Sequence, residues 1–263
     1  MAVILGMKDT LDKDVARFAQ QPLKEPLFLN SIPKGGTHLI RNILRMFVPV
    51  EQHYHHEFVQ IPNLAIHRQA FDVSRPMLSC GHLLFSDSSV HALRGVRHIV
   101  LARDPYTWVL ARARFFLSEE FQQANLAHLK TGVIGPDELL NMMIFGIHDK
   151  TPMLVDMYTH NVVAWMGSAV LVRYEDILNA VEDLDSKAAE SFFFRLLSDC
   201  GIETVPDDWR ERVRVGADRK QSRTARENLK LAGTVELPAE ISEIQKKLVE
   251  FHAPGLRALL GYA

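Results

Sequence analysis

The sequence predicts an α/β fold with three layers, in which helices cover both faces of a central parallel sheet. Two observations support this prediction: four short apolar runs, and helical patterns in the segments between them. Short and continuous apolar runs are typical of parallel strands that are buried on both faces. Because these runs alternate with helices, a parallel sheet between two helical layers is favoured.

The predicted strands are residues 26–32, 76–80, 97–103 and 169–175, and helices are predicted over 37–47, 106–121 and 238–260. Apolar residues recur at three- and four-residue spacing in 37–47, which gives that helix one buried face. Residues 116–165 are also helical in pattern, with breaks at "TGVIGPDE" and "HDKTP", and we expect them to form a helical cap over the site. Gly261 is the expected C-cap of the last helix.

The bulk composition is that of an ordinary globular protein, with 47% apolar and 24% charged residues. A chain of 263 residues with this composition can bury a sizeable core, so we predict a single domain over 1–263 that includes the cap. The net charge of −2 argues against a nucleic-acid partner, because no basic field surrounds the chain.

The two cysteines, Cys80 and Cys200, are scattered and fit no metal-binding spacing, which suits a reducing compartment. The amino-terminal residues lack a basic region and a cleavage site, so we expect no signal peptide. No run approaches the roughly 20 apolar residues that a membrane span needs. We therefore predict a cytoplasmic protein without a transmembrane segment.

A strand, a glycine turn and a helix meet in "LFLNSIPKGGTHLIRNILRMF", residues 27–47. The first-turn N–H groups and the dipole of a helix attract anions, and Gly35 and Gly36 let the backbone approach a ligand closely. Lys34 adds a positive charge, and Thr37 adds a hydroxyl donor. A plain turn with a surface lysine is the alternative. Walker A loops place the lysine after the last glycine, so an ATPase or a kinase fits this segment poorly.

Three further segments follow this loop along the chain: "LSCGHLLF", "HIVLARDPYTWVLARARFF" and "LVRYEDI". Together with "SIPKGGTHL", they resemble four segments of the PAPS-dependent sulfotransferases in the same order: the 5′-phosphosulfate loop, the catalytic-histidine segment, the 3′-phosphate segment and the YED strand end. The resemblance covers about residues 26–260, and the closing "LRALLGYA" is similar to the tail of bacterial, cytosolic-sulfotransferase-like members. It implies a P-loop-NTPase-like sulfotransferase fold.

The resemblance implies transfer of a sulfuryl group from PAPS to a hydroxyl, or less readily an amine, of a small-molecule, glycan or lipid acceptor, without a metal. It implies that Lys34 stabilises the leaving phosphate while backbone N–H groups wrap the 5′-phosphate. The residues of that phosphate loop are Lys34, Gly35, Gly36, Thr37 and His38. His82 would be the general base that takes the acceptor's proton. The alternative for His82 is a buried histidine that donates to a backbone carbonyl.

The resemblance implies that three further residues bind the rest of the nucleotide. Arg103 would clamp the 3′-phosphate, and an ion pair with Asp104 at a strand end is the alternative. Tyr174 would contact adenine, or else be a half-buried aromatic at the sheet rim. Arg226 matches the arginine of a nucleotide loop whose glycines and tryptophan are absent here, and a solvated basic face is the alternative. Ala111 stands where the family has a serine for the 3′-phosphate.

The sequence also leads to expectations about metal binding, oligomeric state and catalytic activity. "EQHYHHE" at 51–57 suggests zinc, but its spacing matches no standard site and no distant ligand cluster completes it, so we expect no metal. Lys230 and residues 234–235 are similar to the family's dimer segment, whereas Glu240 lies one place late, which predicts a monomer or a weak homodimer. The alternatives to an active sulfotransferase are a non-catalytic nucleotide-binding protein and a P-loop-type kinase.

Overall fold

The structure, a computed structural model, describes residues 9–56, 58–222, 225–232 and 235–262. Within these ranges the strands are β1 (Leu27–Ser31), β2 (Leu78–Gly81), β3 (Arg97–Ala102) and β4 (Val170–Arg173). The α-helices of the same ranges are α1 (Leu11–Val15), α2 (Thr37–Arg45), α3 (Asp87–Ala92), α4 (Pro105–Leu117), α5 (Pro136–Phe145), α6 (Leu154–Asn161), α7 (Tyr174–Glu182), α8 (Lys187–Asp199), α9 (Trp209–Gly216), α10 (Glu243–His252) and α11 (Leu256–Leu259). All four predicted strands are confirmed, although Tyr174 begins α7 instead of ending β4.

The four strands form one parallel sheet in the order β2-β1-β3-β4. From β1 the chain moves to β2 on one side and then crosses to β3 on the other side, so the strand order reverses between β1 and β3. In open parallel sheets, ligands bind beyond the carboxyl ends of the strands at such a reversal. The segment that follows β1 is the predicted phosphate loop, which therefore begins at the favoured edge.

Alternate residues of the central strands face opposite sides of the sheet. Leu29 and Ile99 belong to a core cluster that also takes apolar side chains from α2, α7, α8 and α9. On the other face, Phe28 packs against Phe71 with their ring centroids 5.2 Å apart. Both faces are thus covered, which explains why the strands read as continuous apolar runs. The predicted α/β fold, with a central parallel sheet flanked by helices, is confirmed.

The carboxyl-terminal helix is the main correction to the predicted elements. The sequence predicts one helix over 238–260, but α10 ends at His252 and α11 begins at Leu256. Gly255 takes a left-handed φ of 73° directly after Pro254, and these two residues interrupt the helical hydrogen bonds. Gly261 has a φ of 80°, as expected of a residue that ends a helix.

The chain divides into two compact units. The first, here called the sheet unit, contains Asp9–Ala102 and His160–Gln221 and therefore the whole sheet. The second unit contains Arg103–Thr159 and the described residues between 222 and 262. Most of 116–165 belongs to the second unit, with helices and breaks where they were expected, and its role as a cap stays a prediction. None of the described helices is long and apolar enough to cross a membrane.

His98 is buried on the face of the sheet that carries Phe28. Its ring lies 4.8 Å from Trp165 and 5.7 Å from Phe28, measured between centroids. Its Nε2 is buried and has no hydrogen-bond partner among the described residues. Burial disfavours the charged ring and lowers the pKa of His98 to about 4.

Replacing His98 by phenylalanine is expected to make the protein less sensitive to acid. An unfolded histidine titrates near 6.5, so the stability that the neutral ring contributes is complete above that pH and is lost as the pH falls towards 4. Between pH 7 and pH 4.5 the loss of unfolding free energy should be smaller in His98→Phe by about 2–3 kcal/mol, as measured by urea unfolding. His91→Phe, at an exposed position of α3, is the control. Equal pH dependence of the unfolding free energy in His98→Phe and His91→Phe would contradict the lowered pKa of His98.

Candidate active site

The residues after β1 form a tight turn into α2. Lys34 has a φ of 68° and Gly36 a φ of 102°, so both lie in the left-handed region. Gly36 is the N-cap of α2, and no side-chain cap is present at this position. The helix begins with backbone N–H groups and the positive end of its dipole, which together suit an anion.

Thr37 is buried, and its hydroxyl shares a hydrogen bond with Oγ of Ser31 at the end of β1. The Thr37 hydroxyl can donate to an anion when Ser31 is the donor of this bond. We also expect the backbone N–H of Thr37 to meet an anion.

The ring of Tyr174, the first residue of α7, lies against Gly36. A Cβ atom added to Gly36 would lie 2.2 Å from Cδ2 of Tyr174, which no real side chain tolerates. Tyr174 itself is buried. The structure thus brings Tyr174 beside the phosphate loop, while its contact with adenine stays a prediction.

Replacing Gly36 by alanine is expected to destabilise the protein and the loop together. In Gly36→Ala, the new side chain is strained by the left-handed φ and also clashes with the Tyr174 ring. In Gly167→Ala, the φ of 93° causes the same kind of strain, but no atom lies within 4 Å of the new Cβ. The backbone cost alone is about 1–2 kcal/mol, so the loss of unfolding free energy in Gly36→Ala should exceed that of Gly167→Ala by about 1–3 kcal/mol. Denaturant unfolding measures both. Equal losses would mean that Tyr174 does not press on the loop.

His82 follows β2 directly, and its ring is held at the end of β1. Its Nδ1 donates to the carbonyl of Ser31 at 2.8 Å. This bond requires the proton on Nδ1, so Nε2 of the neutral ring carries a lone pair. None of the described residues forms a hydrogen bond with that Nε2. The two interpretations of His82 are therefore compatible: the bond to a backbone carbonyl fixes the tautomer that a general base needs.

Asn30, the residue before Ser31 in β1, holds the segment that carries His82. Its side-chain amide donates to the Leu83 carbonyl at 2.9 Å and accepts from the Leu83 N–H at 2.9 Å. From the opposite side, the Val59 carbonyl accepts the His82 N–H at 3.0 Å. The sequence patterns did not single out Asn30, although a fully buried amide in a β-strand is a signal of such a role.

The aromatic rings of His82, Phe58 and His38 pack against one another. The Phe58 ring stacks on the His82 ring, with centroids 4.9 Å apart and an angle of 11° between the planes. The rings of His38 and Phe58 pack edge to face, with centroids 5.3 Å apart. Burial lowers the pKa of His82 to about 4, with a further lowering from Lys34 and an opposing effect of the Ser31 carbonyl. Burial, followed by Arg41 and Lys34, lowers the pKa of His38 to about 3. Both rings are neutral near pH 7, so His38 offers an anion its backbone N–H and no charge.

Arg103 comes directly after β3 in the chain and belongs to the second unit. Its Nε donates to the Thr107 hydroxyl at 3.0 Å, and its carbonyl accepts from the Tyr158 hydroxyl at 2.8 Å. The neighbouring Asp104 accepts two hydrogen bonds from Arg257, at 3.0 and 2.9 Å. Asp104 thus has an arginine partner other than Arg103, and the 3′-phosphate clamp stays a prediction.

Two neighbouring residues of α4, Ala111 and Arg112, are buried. Ala111 is buried in the helix and offers no hydroxyl. Arg112 is buried as well, and its guanidinium donates to the carbonyl oxygens of Met143 and Pro152 at 3.0 and 2.9 Å. These bonds commit Arg112 to the interior of the second unit.

Two arginines of α9 form ion pairs within the sheet unit. Arg210 pairs with Glu190 at 2.8 Å, and Arg214 pairs with Asp185 at 3.2 Å. These arginines therefore pair with acids of the same unit. Arg226 begins a short 3₁₀ turn, Arg226–Asn228, but its side chain lies outside the described part of the chain. Glu57 of the histidine-rich segment and Thr234 of the dimer-like segment also lie outside the described residues.

One residue that is distant along the chain approaches the histidine-rich segment. Asp12 of α1 lies 3.3 Å from Nδ1 of His53 and 3.7 Å from Nε2 of His55, measured from its carboxylate oxygens. The sequence offers no local signal for this approach, because Asp12 belongs to a different element.

Comparison with known proteins supports the fold. No protein-family model matches the chain, and no curated protein matches it significantly. Among solved structures, it is similar to mouse sulfotransferase SULT7A1 complexed with PAP, with a TM-score of 0.56 and 12% identity, over 96% of this chain and 94% of that one. It is also similar to retinol dehydratase in complex with androsterone and the inactive cofactor PAP, with a TM-score of 0.50 and 14% identity, over 94% and 85% of the two chains. The chain therefore has the fold of the sulfotransferases.

Proposed function

We propose that this protein is a PAPS-dependent sulfotransferase. The observation that carries the proposal is His82, whose Nδ1 proton is held by the Ser31 carbonyl so that Nε2 remains a proton acceptor beside the loop of Lys34. The loop offers a helix N-terminus and a lysine to an anion, as the 5′-phosphosulfate of PAPS requires. The fold shared with two PAP-bound proteins supports the same donor.

In the proposed reaction, the acceptor hydroxyl attacks the sulfur of PAPS in line with the bond to the 5′-phosphate. His82 Nε2 takes the hydroxyl proton as the new S–O bond forms. The bond between the sulfuryl group and the phosphate breaks, and Lys34 stabilises the charge that develops on the leaving phosphate oxygen. The products are the sulfated acceptor and adenosine 3′,5′-bisphosphate, and the scheme needs no metal.

The remaining contacts of the donor are part of the same proposal. The backbone N–H groups of Gly36, Thr37 and His38 would bind the 5′-phosphate, whereas the Gly35 N–H donates to the Ile32 carbonyl at 2.9 Å and holds the turn. Tyr174, which lies against Gly36, would contact adenine. Arg103 would bind the 3′-phosphate, and Arg226 would add a charge over the nucleotide.

Calorimetric titration with adenosine 3′,5′-bisphosphate tests the donor. We expect a dissociation constant on the order of micromolar, with 5′-AMP binding at least about tenfold more weakly because it lacks the 3′-phosphate. ATP with magnesium is the second control, because a kinase would prefer it. Preference for ATP, or equal binding of 5′-AMP, would count against the proposal.

A non-catalytic nucleotide-binding protein is the second candidate function, and Ala111 is the observation that favours it. The family's serine at this place would donate to the 3′-phosphate, and alanine cannot do so. This candidate predicts binding of the bisphosphate without transfer of radiolabelled sulfate from PAPS to any member of an acceptor panel. Transfer to a single acceptor would exclude it.

A further inference from the structure

We propose that Asp12, His53 and His55 form a binding site for a divalent metal ion of the zinc class, which ties α1 to the segment that runs from His53 towards Val59. The site goes beyond the proposed function, since sulfuryl transfer does not require it. The three residues come from two separate parts of the sheet unit, and one ligand atom from each lies within 4.8 Å of the others. Two imidazoles and a carboxylate are a common donor set for zinc.

The ligand atoms lie near the spacing that a tetrahedral ion requires. Zinc binds nitrogen and oxygen at about 2.0–2.1 Å, so neighbouring ligand atoms in a tetrahedral site lie roughly 3.3–3.5 Å apart. Asp12 Oδ1 lies 3.3 Å from His53 Nδ1, and Asp12 Oδ2 lies 3.7 Å from His55 Nε2. These two contacts involve different carboxylate oxygens of Asp12, so one ion would bind all three residues after a rotation of the exposed Asp12 and His55 side chains, whose ligand atoms already lie within 4.8 Å of one another and of His53.

The hydrogen bond of the His53 ring to a backbone carbonyl is the second observation that favours a bound cation. Nε2 of His53 lies 2.9 Å from the Val48 carbonyl, and only a proton on Nε2 makes this contact a hydrogen bond. In the neutral ring, Nδ1 then carries a lone pair that faces an Asp12 oxygen, so two acceptors meet at 3.3 Å. A metal ion between them turns this repulsion into attraction. Histidines that bind metals usually donate their other N–H to a backbone carbonyl or carboxylate, as His53 does.

The local charges also favour a cation. The guanidinium of Arg45 is buried and donates to Asp9 at 2.7 and 3.0 Å and to Asp12 Oδ1 at 2.7 Å. Two carboxylates and one guanidinium leave one negative charge when the histidines are neutral. The bond from Arg45 also fixes the orientation of the Asp12 carboxylate, with Oδ2 on the side of His55.

The site would anchor one end of the segment that braces the candidate base. His53 forms a parallel bridge with Leu78 of β2, and Val59 forms one with Gly81 at the end of the same strand. Val59 also accepts the His82 N–H. An ion at His53 would therefore stabilise the start of a segment whose far end contacts His82. His55 and Asp12 are 46% and 44% exposed in their side chains, so water has access to the remaining coordination position.

Calorimetric titration of chelator-treated protein with Zn²⁺ tests the site. We expect one ion per chain, and a loss of affinity of about tenfold or more in His55→Ala. His56→Ala is the matched control, because His56 is the next residue and is also exposed, and its affinity should be unchanged. His55 is on the surface, so its removal leaves the fold intact, which circular dichroism verifies.

Two further measurements separate this site from ordinary surface histidines. Co²⁺ should give the intense visible absorption of a four-coordinate ion in the wild type and in His56→Ala, and lose it in His55→Ala and Asp12→Asn. Saturating Zn²⁺ should raise the melting temperature of the wild type by several degrees and leave that of His55→Ala unchanged. Absence of Zn²⁺ binding, or equal binding by the two alanine variants, would overturn the proposal. Zinc binding that persists without transferase activity would leave the site standing and would refute only the proposed function.

Discussion

Replacing Lys34 by methionine is expected to lower kcat for sulfuryl transfer by about 10²–10³-fold, which is the range for losing one preorganised donor at a developing negative charge. Methionine keeps the Cβ atom and most of the unbranched side chain, so the left-handed backbone at this position costs about the same in both proteins. The change therefore removes the positive charge and little else. The measurement is the rate of transfer from PAPS at saturating donor and acceptor.

The control for this variant is Lys24→Met in the same unit. Lys24 is an exposed lysine that pairs with Glu203 at 2.7 Å, and its loss should leave the rate within the range of the wild type. Binding of adenosine 3′,5′-bisphosphate, measured on each variant, separates a lost charge from a collapsed loop. If Lys34→Met turned over as fast as Lys24→Met, the lysine would have no role in the chemical step.

Replacing His82 by asparagine is expected to lower kcat by about 10²–10⁴-fold with little change in the affinity for the bisphosphate. The asparagine amide can still donate to the Ser31 carbonyl in the place of Nδ1, so the segment after β2 keeps its anchor. It has no counterpart of Nε2, so the proton acceptor is lost. His91→Asn, at an exposed position on α3, is the control. A variant with full activity would show that His82 is a structural residue.

The pH dependence of kcat/KM for PAPS provides an independent measurement of the same base. His82 acts when it is neutral, and burial lowers its pKa to about 4, so about 90% of the free enzyme is still competent at pH 5. An unshifted histidine would be only about 3% neutral at that pH. We therefore expect a flat profile from pH 8 to pH 5 and a decline below it. An acid limb near pH 6.5 would mean that the base is a histidine in contact with water.

The fold depends mostly on local patterns, and these were visible in the sequence. Apolar runs of strand length and the amphipathic spacing of α2 reflect the side chains of single elements, so four strands and the first loop were predicted near their observed positions. The order Lys34-Gly35-Gly36 likewise defines a turn into a helix without reference to the rest of the chain. The break between α10 and α11 was missed, although Pro254 and Gly255 are local signals for it.

The candidate site depends on contacts between residues that are far apart along the chain. Asn30 holds Leu83 across 53 positions, and Asp12 approaches His53 across 41. The ring of Tyr174 closes on Gly36 from the start of another helix. Such contacts follow from strand order and helix packing, and a single sequence carries no periodicity that reports them.

The sequence by itself determined that this protein has an α/β fold with a parallel sheet and a lysine–glycine loop suited to an anion. Only the tertiary structure decided which nitrogen of His82 is protonated and that His38 carries no charge near neutral pH. It also decided that Asp12 lies beside two histidines. The reason is physical: patterns of polarity define elements, whereas protonation and ligand geometry depend on burial and on partners that folding alone brings together.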